Sequence, residues 1–253
     1  MLVLLPLVGL LIGLLVISLG GGGGAFYVGI LTAFFNIPPE LAASTSLATI
    51  VPTTVFGAVS HWKNGNVNLR LGLIMMGGAA AGAVAGSLCS DFLPESIYNK
   101  ITGILLLILA VQMLAAYVRR RSGKAPHVSA KSKKSLCLAL GYGFLGGGLS
   151  GLVGISGTAP IVAGLVVLGC GALETVETSV FVLVGISLTG FLMHLGLGNV
   201  DWRLVGLLVI GTAGGAFAAP FLLRLVRKNQ LEKILIPVLI VMGFVMGGIV
   251  ACK

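Results

Sequence analysis

Charge is what this 253-residue chain lacks most: only 9% of its residues are charged, and seven are acidic. A soluble domain carries roughly 25% charged residues, so too few are present to coat a water-facing surface, and a soluble globular enzyme is excluded. The position of the carboxylates excludes more. Glu40, Asp91, Glu95, Glu174, Glu177, Asp201 and Glu232 avoid the middles of the apolar stretches, whereas a cation carrier usually buries acids near the bilayer midplane. Cys89, Cys137, Cys170 and Cys252 form no Cys-x-x-Cys and have no histidine at ligand spacing. They read as inert apolar fillers, and no metal or other cofactor is expected. Absence of a nucleophile–base–orienter set argues against an intramembrane enzyme, and absence of an ATP-binding motif leaves an ion gradient or the membrane potential as the energy source.

What is present is apolar. Hydrophobic residues make up 57% of the chain, and the mean hydropathy is +1.11. Unbroken runs such as Ile101–Val118 replace the polar–apolar alternation of a transmembrane barrel. The expected fold is an all-α polytopic membrane protein with about 8–10 membrane segments. These fall near 2–19, 25–36, 41–60, 70–90 and 97–118, then 136–153, 157–169, 175–194, 203–223 and 233–251. Between the two sets, Arg119, Arg120, Arg121, Lys124, Lys131, Lys133 and Lys134 supply much of the net charge of +9. That stretch reads as a cytoplasmic loop, not as a nucleic-acid surface. With no basic residue before Lys63, Met1–Leu19 lacks the charged start of a signal peptide and is expected to stay as a membrane segment.

The halves repeat. An offset of 133 residues (194 − 61) places His61, Gly65, Asn66, Val67 and Arg70 on His194, Gly198, Asn199, Val200 and Arg203. It also pairs Thr45-Ser46 with Thr178-Ser179, Gly57 with Gly190, and Lys100-Ile101 with Lys233-Ile234. Matches among residues this rare in the chain point to duplication, with a first repeat at 1–118, a basic linker at 119–135 and a second repeat at 136–253. Loop 61–70 carries +2 and loop 91–100 carries −1, while the matching loops 194–203 and 224–233 carry 0 and +3. Opposite asymmetry predicts repeats of inverted topology.

Glycine marks the breaks. Gly20–Gly24 interrupts one apolar run, and Gly154-Ile-Ser-Gly-Thr-Ala-Pro160 sits at the matching place in the other half. Segments 25–36 and 157–169 are short for a span, which suits Gly-broken or re-entrant helices. A helix that restarts after such a break offers free N–H groups and the positive end of its dipole to a small anion. Gly22, Gly23, Gly24, Gly154, Ser156, Gly157 and Thr158 are therefore candidate substrate-binding residues; tight helix packing is the competing explanation of the glycines. Thr45, Ser46, Thr178 and Ser179 join them as repeat-matched hydroxyls. Thr45, Thr49 and Thr53 recur every four residues, forming a polar stripe, or bonding back to their own helix. His61, His194 and Glu177 are candidate coupling or gating groups, with the proton as candidate coupling ion. Asn66 and Asn199 read as helix-start caps, Arg70 and Arg203 as interfacial side chains. The rows Gly78-x3-Gly82-x3-Gly86 and Gly211-x3-Gly215-x3-Ala219 read as helix-packing faces.

The Gly-rich first segment, the Ala-Ser-Thr-Ser-Leu run at 43–47, the His…Gly-Asn-Val turn at 61–67 and the Gly/Ala helix after it resemble the TauE/SafE family along essentially the whole chain. The resemblance implies secondary transport, in the direction of export, of sulfite or organosulfonate anions across the bacterial cytoplasmic (inner) membrane. One departure is that Tyr27 stands where the family often has proline after the first glycine run; the proline is kept only at Pro160. A carrier of another small solute or ion is the alternative reading. The expected partners are the anion and the lipid bilayer, with a homodimer left open and no nucleic acid.

Overall fold

The structure, a computed structural model, describes residues 5–24, 39–63, 65–90, 133–153, 156–195 and 200–225, with isolated helical positions at 27–31, 104–118 and 233–248. All seven described elements are helices: α1 (Leu5–Ser18), α2 (Pro39–Trp62), α3 (Leu69–Ser90), α4 (Lys133–Val153), α5 (Thr158–Val167), α6 (Ala172–Leu195) and α7 (Trp202–Leu225). Four of them, α3, α4, α6 and α7, are long and apolar enough to cross a membrane. Helix α4 begins at Lys133, inside the stretch expected to be linker. Arg119–Lys131, loop 91–100, residues 226–232, Gly154, Asn199 and the His194 side chain lie outside the described residues.

Burial runs opposite to that of a water-soluble protein. Ser44, Thr45, Ser46, Thr49, Thr53, Thr54, Thr178, Ser179 and Thr212 are buried, while Leu11, Leu15, Leu192, Ile210, Phe217 and Phe221 are exposed. Hydroxyls inside and aliphatic or aromatic groups outside suit lipid as the solvent, because polar groups there must find partners within the protein. Cys89 and Cys137 are exposed on that outer surface, and Cys170 alone of the expected fillers is seen buried.

The helices respect the offset of 133 residues (172 − 39): α2 and α6 match end to end, and α3 and α7 start at matching residues. Elements of different halves interlock, α4 packing on α3, and α1 on α7. The glycine rows explain how closely. A Cβ built on Gly78 would lie 2.5 Å from the Leu140 carbonyl oxygen, and one on Gly13 2.5 Å from that of Thr212. Gly82, Gly147, Gly151, Gly211 and Gly215 likewise face backbone rather than side chain. Without a hydrophobic drive between helices in lipid, association rests on such close backbone approach. The expected packing faces are therefore real: Gly78 and Gly82 meet the backbone of Leu140 and Phe144 on α4, and Gly211 and Gly215 that of Pro6 and Leu10 on α1, while Gly143, Gly147 and Gly151 meet that of Met75, Ala79 and Ala83 on α3 in return.

Helices α2 and α6 lie antiparallel. Gly57 meets Val180, Thr54 meets Ser187 and Leu47 meets Gly190, so residue numbers fall on one helix as they rise on the other. Helix α5 turns back along α4, with Gly157 against Gly146 and Gly164 against Tyr142. Its 10 residues reach about 15 Å at roughly 1.5 Å per residue, half of a hydrocarbon core of about 30 Å. The break before α5 is thereby set deep among the helices. In the first half the chain also returns after its glycine run: Leu31 shares a buried cluster with Leu5 at the start of α1 and with Leu204 and Leu208 of α7.

Candidate functional site

The two breaks meet. The Gly22 N–H donates to Thr158 Oγ1 at 3.3 Å, and Thr158 Oγ1 lies 2.8 Å from Ser156 Oγ. Gly22 is closely packed here, since a Cβ would sit 3.0 Å from the Ser156 Cβ and 3.1 Å from Ile50, and both would have to give by a few tenths of an ångström. Gly20 and Gly23 hold the loop by adopting φ of 77° and 84°, conformations that side chains strain. Gly157 precedes α5 with no side-chain cap, and Pro160 occupies its first turn, where a missing N–H costs nothing.

Repeat-matched serines fix the ends of the first loop. Ser179 Oγ lies 2.6 Å from the Gly20 carbonyl oxygen and 2.9 Å from that of Val176, and Ser46 Oγ donates to the Gly24 carbonyl at 3.3 Å. Three neutral groups from three other elements therefore hold the Gly20–Gly24 break in place. Beside it Leu47, Ile50, Ser150, Ser156, Leu183, Ile186 and Ser187 line a narrow crevice that leaves no room for a water molecule. No charged side chain lines it. Tyr27 packs against Gly23, its buried hydroxyl facing those of Thr53 and Thr212 without hydrogen-bond geometry to either.

Thr45 and Thr178 are not in the crevice. Thr178 Oγ1 accepts the Asn68 N–H at 2.9 Å, and its repeat mate Thr45 Oγ1 accepts the Asp201 N–H at 3.3 Å. Each hydroxyl thus pins a loop of the opposite half, Thr178 the one that starts α3 and Thr45 the one that starts α7, one at each end of the α2–α6 pair. The helix-start caps are these same loop residues, Asn68 and Asp201, which corrects the expectation of Asn66; Asn199 lies outside the described residues. Asn68 Oδ1 accepts the Leu71 N–H at 3.2 Å, and Asp201 Oδ1 those of Arg203 and Leu204 at 3.0 and 3.1 Å. The Gly65 turn delays the helix to Leu69, so the cap position falls at 68.

Asn66 instead binds Glu177, donating its backbone and side-chain N–H groups to the two carboxylate oxygens at 3.1 Å each. Glu177 is fully buried, and His61 Nδ1 lies 3.8 Å from its Oε1. His61 is itself buried with neither ring nitrogen hydrogen-bonded. Glu174 adds a bond from the Asn68 side chain at 2.9 Å. This end of the α2–α6 pair is tied by carboxylates, whereas Ser44 occupies the repeat position of Glu177.

The threonine stripe divides. Thr49, Thr53 and Thr54 bond back to the carbonyls of Thr45, Thr49 and Ile50 at 2.7 to 2.9 Å, as hydroxyls in apolar helices do. Thr53 also meets Thr212 of α7 at 2.9 Å. Ser150 is the hydroxyl of the crevice lining that the sequence did not single out; its only signal was its place in the small-residue run Gly146-Gly-Gly-Leu-Ser150 just before the break.

Residues 5–246 match the family described as sulfite exporter TauE/SafE. The probable membrane transporter protein YdhB of Bacillus subtilis (strain 168) is 30% identical over 232 residues, covering 90% of this chain and 93% of the relative. YtnM of the same organism, also named a probable membrane transporter protein, is 31% identical over 256 residues, covering 98% and 80%. No solved structure matches the chain. The matched length takes in both breaks and every described helix, and the chain therefore belongs to the sulfite exporter TauE/SafE family: it is a multi-pass membrane transporter and not an enzyme.

Proposed function

We propose that the protein is a secondary carrier that exports small sulfur-containing anions, such as sulfite or organosulfonates, across the bacterial cytoplasmic membrane. The observation that carries the reading is the Gly22 N–H to Thr158 bond, which joins the two broken segments into one buried polar point. Gly22, Gly23, Gly24, Ser156, Gly157 and Thr158 then offer backbone N–H groups and hydroxyls to the anion, with Gly154 beside them in sequence. Neutral donors suit a carrier, which has to release what it binds. Ser46 and Ser179 serve by holding the loop carbonyls.

Alternating access follows from two inverted repeats rocking about this point. The antiparallel course of the matched helices α2 and α6 and the opposite charge asymmetry of the matched loops support it. The Asn68–Thr178 and Asp201–Thr45 bonds act as clasps at the two ends, one opening while the other stays shut. His61 and Glu177, with His194 at the matching position, are the coupling groups, and a proton is the coupling ion. Outward movement of one negative charge gains about 2.3 kcal/mol at −100 mV, a driving force fitted to export.

Thermal stabilisation of the purified protein by sulfite, sulfoacetate, taurine, sulfate, phosphate and acetate tests the reading. A ligand present at about 100 times its Kd adds about 2.7 kcal/mol of stability. The sulfur oxyanions should stabilise selectively. A response confined to cations or neutral solutes would overturn the proposal.

A further inference from the structure

We propose that Ser150 is a substrate-binding residue whose hydroxyl takes an oxygen of the transported sulfur oxyanion. The inference rests on the anion-carrier reading above. Ser150 is fully buried, and its hydroxyl has no hydrogen-bond partner. Its polar neighbours differ: Ser156 has Thr158, while Ser187 has Thr54 and the Val184 carbonyl. A buried hydroxyl left without a partner costs stability, so packing alone does not account for it.

The repeat supplies the control. Ser150 stands at the position of Ile17 in the first half, and the two face matched glycines. A Cβ on Gly57 would lie 2.9 Å from Ile17, and one on Gly190 would lie 3.6 Å from Ser150 Oγ. An aliphatic side chain fills the site in one half, so the hydroxyl in the other is not required by the fold. It lines the crevice together with Ser156, behind which stand Thr158 and the Gly22 N–H. The crevice is closed to a water molecule here, so an oxyanion engages the Ser150 and Ser156 hydroxyls when rocking of the repeats parts its walls. Ser150 thus extends the site from the break onto α4, in the second half alone.

The test is titration of the purified full-length protein with sulfite and with methanesulfonate, followed by thermal stabilisation, for the wild type, Ser150→Ala and Ser150→Thr. Ser150→Ala should raise Kd about tenfold, as loss of a hydrogen bond to a charged group does. Its ligand-free Tm should be unchanged or higher, because an unpartnered hydroxyl has been removed. Ser150→Thr, which keeps a hydroxyl, should bind more nearly like the wild type. An unchanged Kd in Ser150→Ala, or a fall in its ligand-free Tm with unaltered binding, overturns the inference and leaves the carrier reading standing. A wild type that responds to neither anion overturns both.

Discussion

Thr54 and Ser187 occupy the same position of the two repeats, 133 residues apart, and their hydroxyl oxygens lie 3.2 Å from each other. Under the proposed inverted-repeat arrangement, a residue that touches its own repeat mate sits near the axis relating the halves. The crevice and the joined breaks lie beside that point, with Ile50 and its mate Leu183 both lining it. Each hydroxyl also has a carbonyl of its own helix within reach. Thr54→Val and Ser187→Ala are therefore each expected to cost less than about 1 kcal/mol, with a coupling of about 0.6 kcal/mol in a double-mutant cycle, the ordinary size for such bonds between membrane helices. Reversible unfolding in detergent micelles measures both.

The glycine rows give a sharper contrast. Gly82 faces the Phe144 carbonyl and Gly147 that of Ala79, whereas Gly77, on the same helix as Gly82, has open space where a Cβ would go. Gly82→Ala and Gly147→Ala are expected to lose about 1–3 kcal/mol by forcing α3 and α4 apart. Gly77→Ala should gain about 0.5–1 kcal/mol, the ordinary benefit of alanine over glycine in a helix. Thermal unfolding of the three variants reads the difference in sign.

Much of this arrangement was legible in the sequence for a physical reason. Histidine, asparagine, arginine and lysine are too scarce in an apolar chain to align by accident, so the offset located α2 on α6 and α3 on α7. Glycine runs that no helix needs located the breaks. What stayed hidden depends on which surface each helix meets. Gly143, Gly147 and Gly151 gave no hint that their partner was α3, a helix of the other half. Thr45 and Thr178 looked like ligands because they are paired hydroxyls, yet loop N–H groups two helices away take them up. Ser150 could not be found by seeking matched polar residues, since its mate is Ile17.

The serines at the ends of the first break should matter to folding and to binding alike. In Ser179→Ala the Gly20 carbonyl loses its 2.6 Å partner, leaving a buried acceptor at a cost of about 1–3 kcal/mol. The loop should relax and the Kd for sulfite rise. Ser46→Ala, which gives up a longer bond of 3.3 Å, should have the smaller effect of the two. Titration of both variants against sulfite checks the order.

Glu177 separates coupling from structure. Glu177→Gln keeps one of the two acceptors that Asn66 uses and removes the charge that faces His61 at 3.8 Å. The variant should fold and bind sulfite, while its transport in proteoliposomes should no longer respond to an imposed pH gradient. Retained pH-gradient response would remove Glu177 from the coupling role.

The most direct measurement is efflux of radiolabelled sulfite from proteoliposomes under a membrane potential, comparing the wild type with Gly22→Leu and Thr158→Val. The account predicts potential-driven efflux by the wild type, its abolition in Gly22→Leu, where the side chain would strike Ser156 and Ile50, and a marked loss in Thr158→Val. Wild-type efflux no faster than from empty liposomes, or full activity in both variants, would contradict a carrier that works through the meeting of its two broken helices.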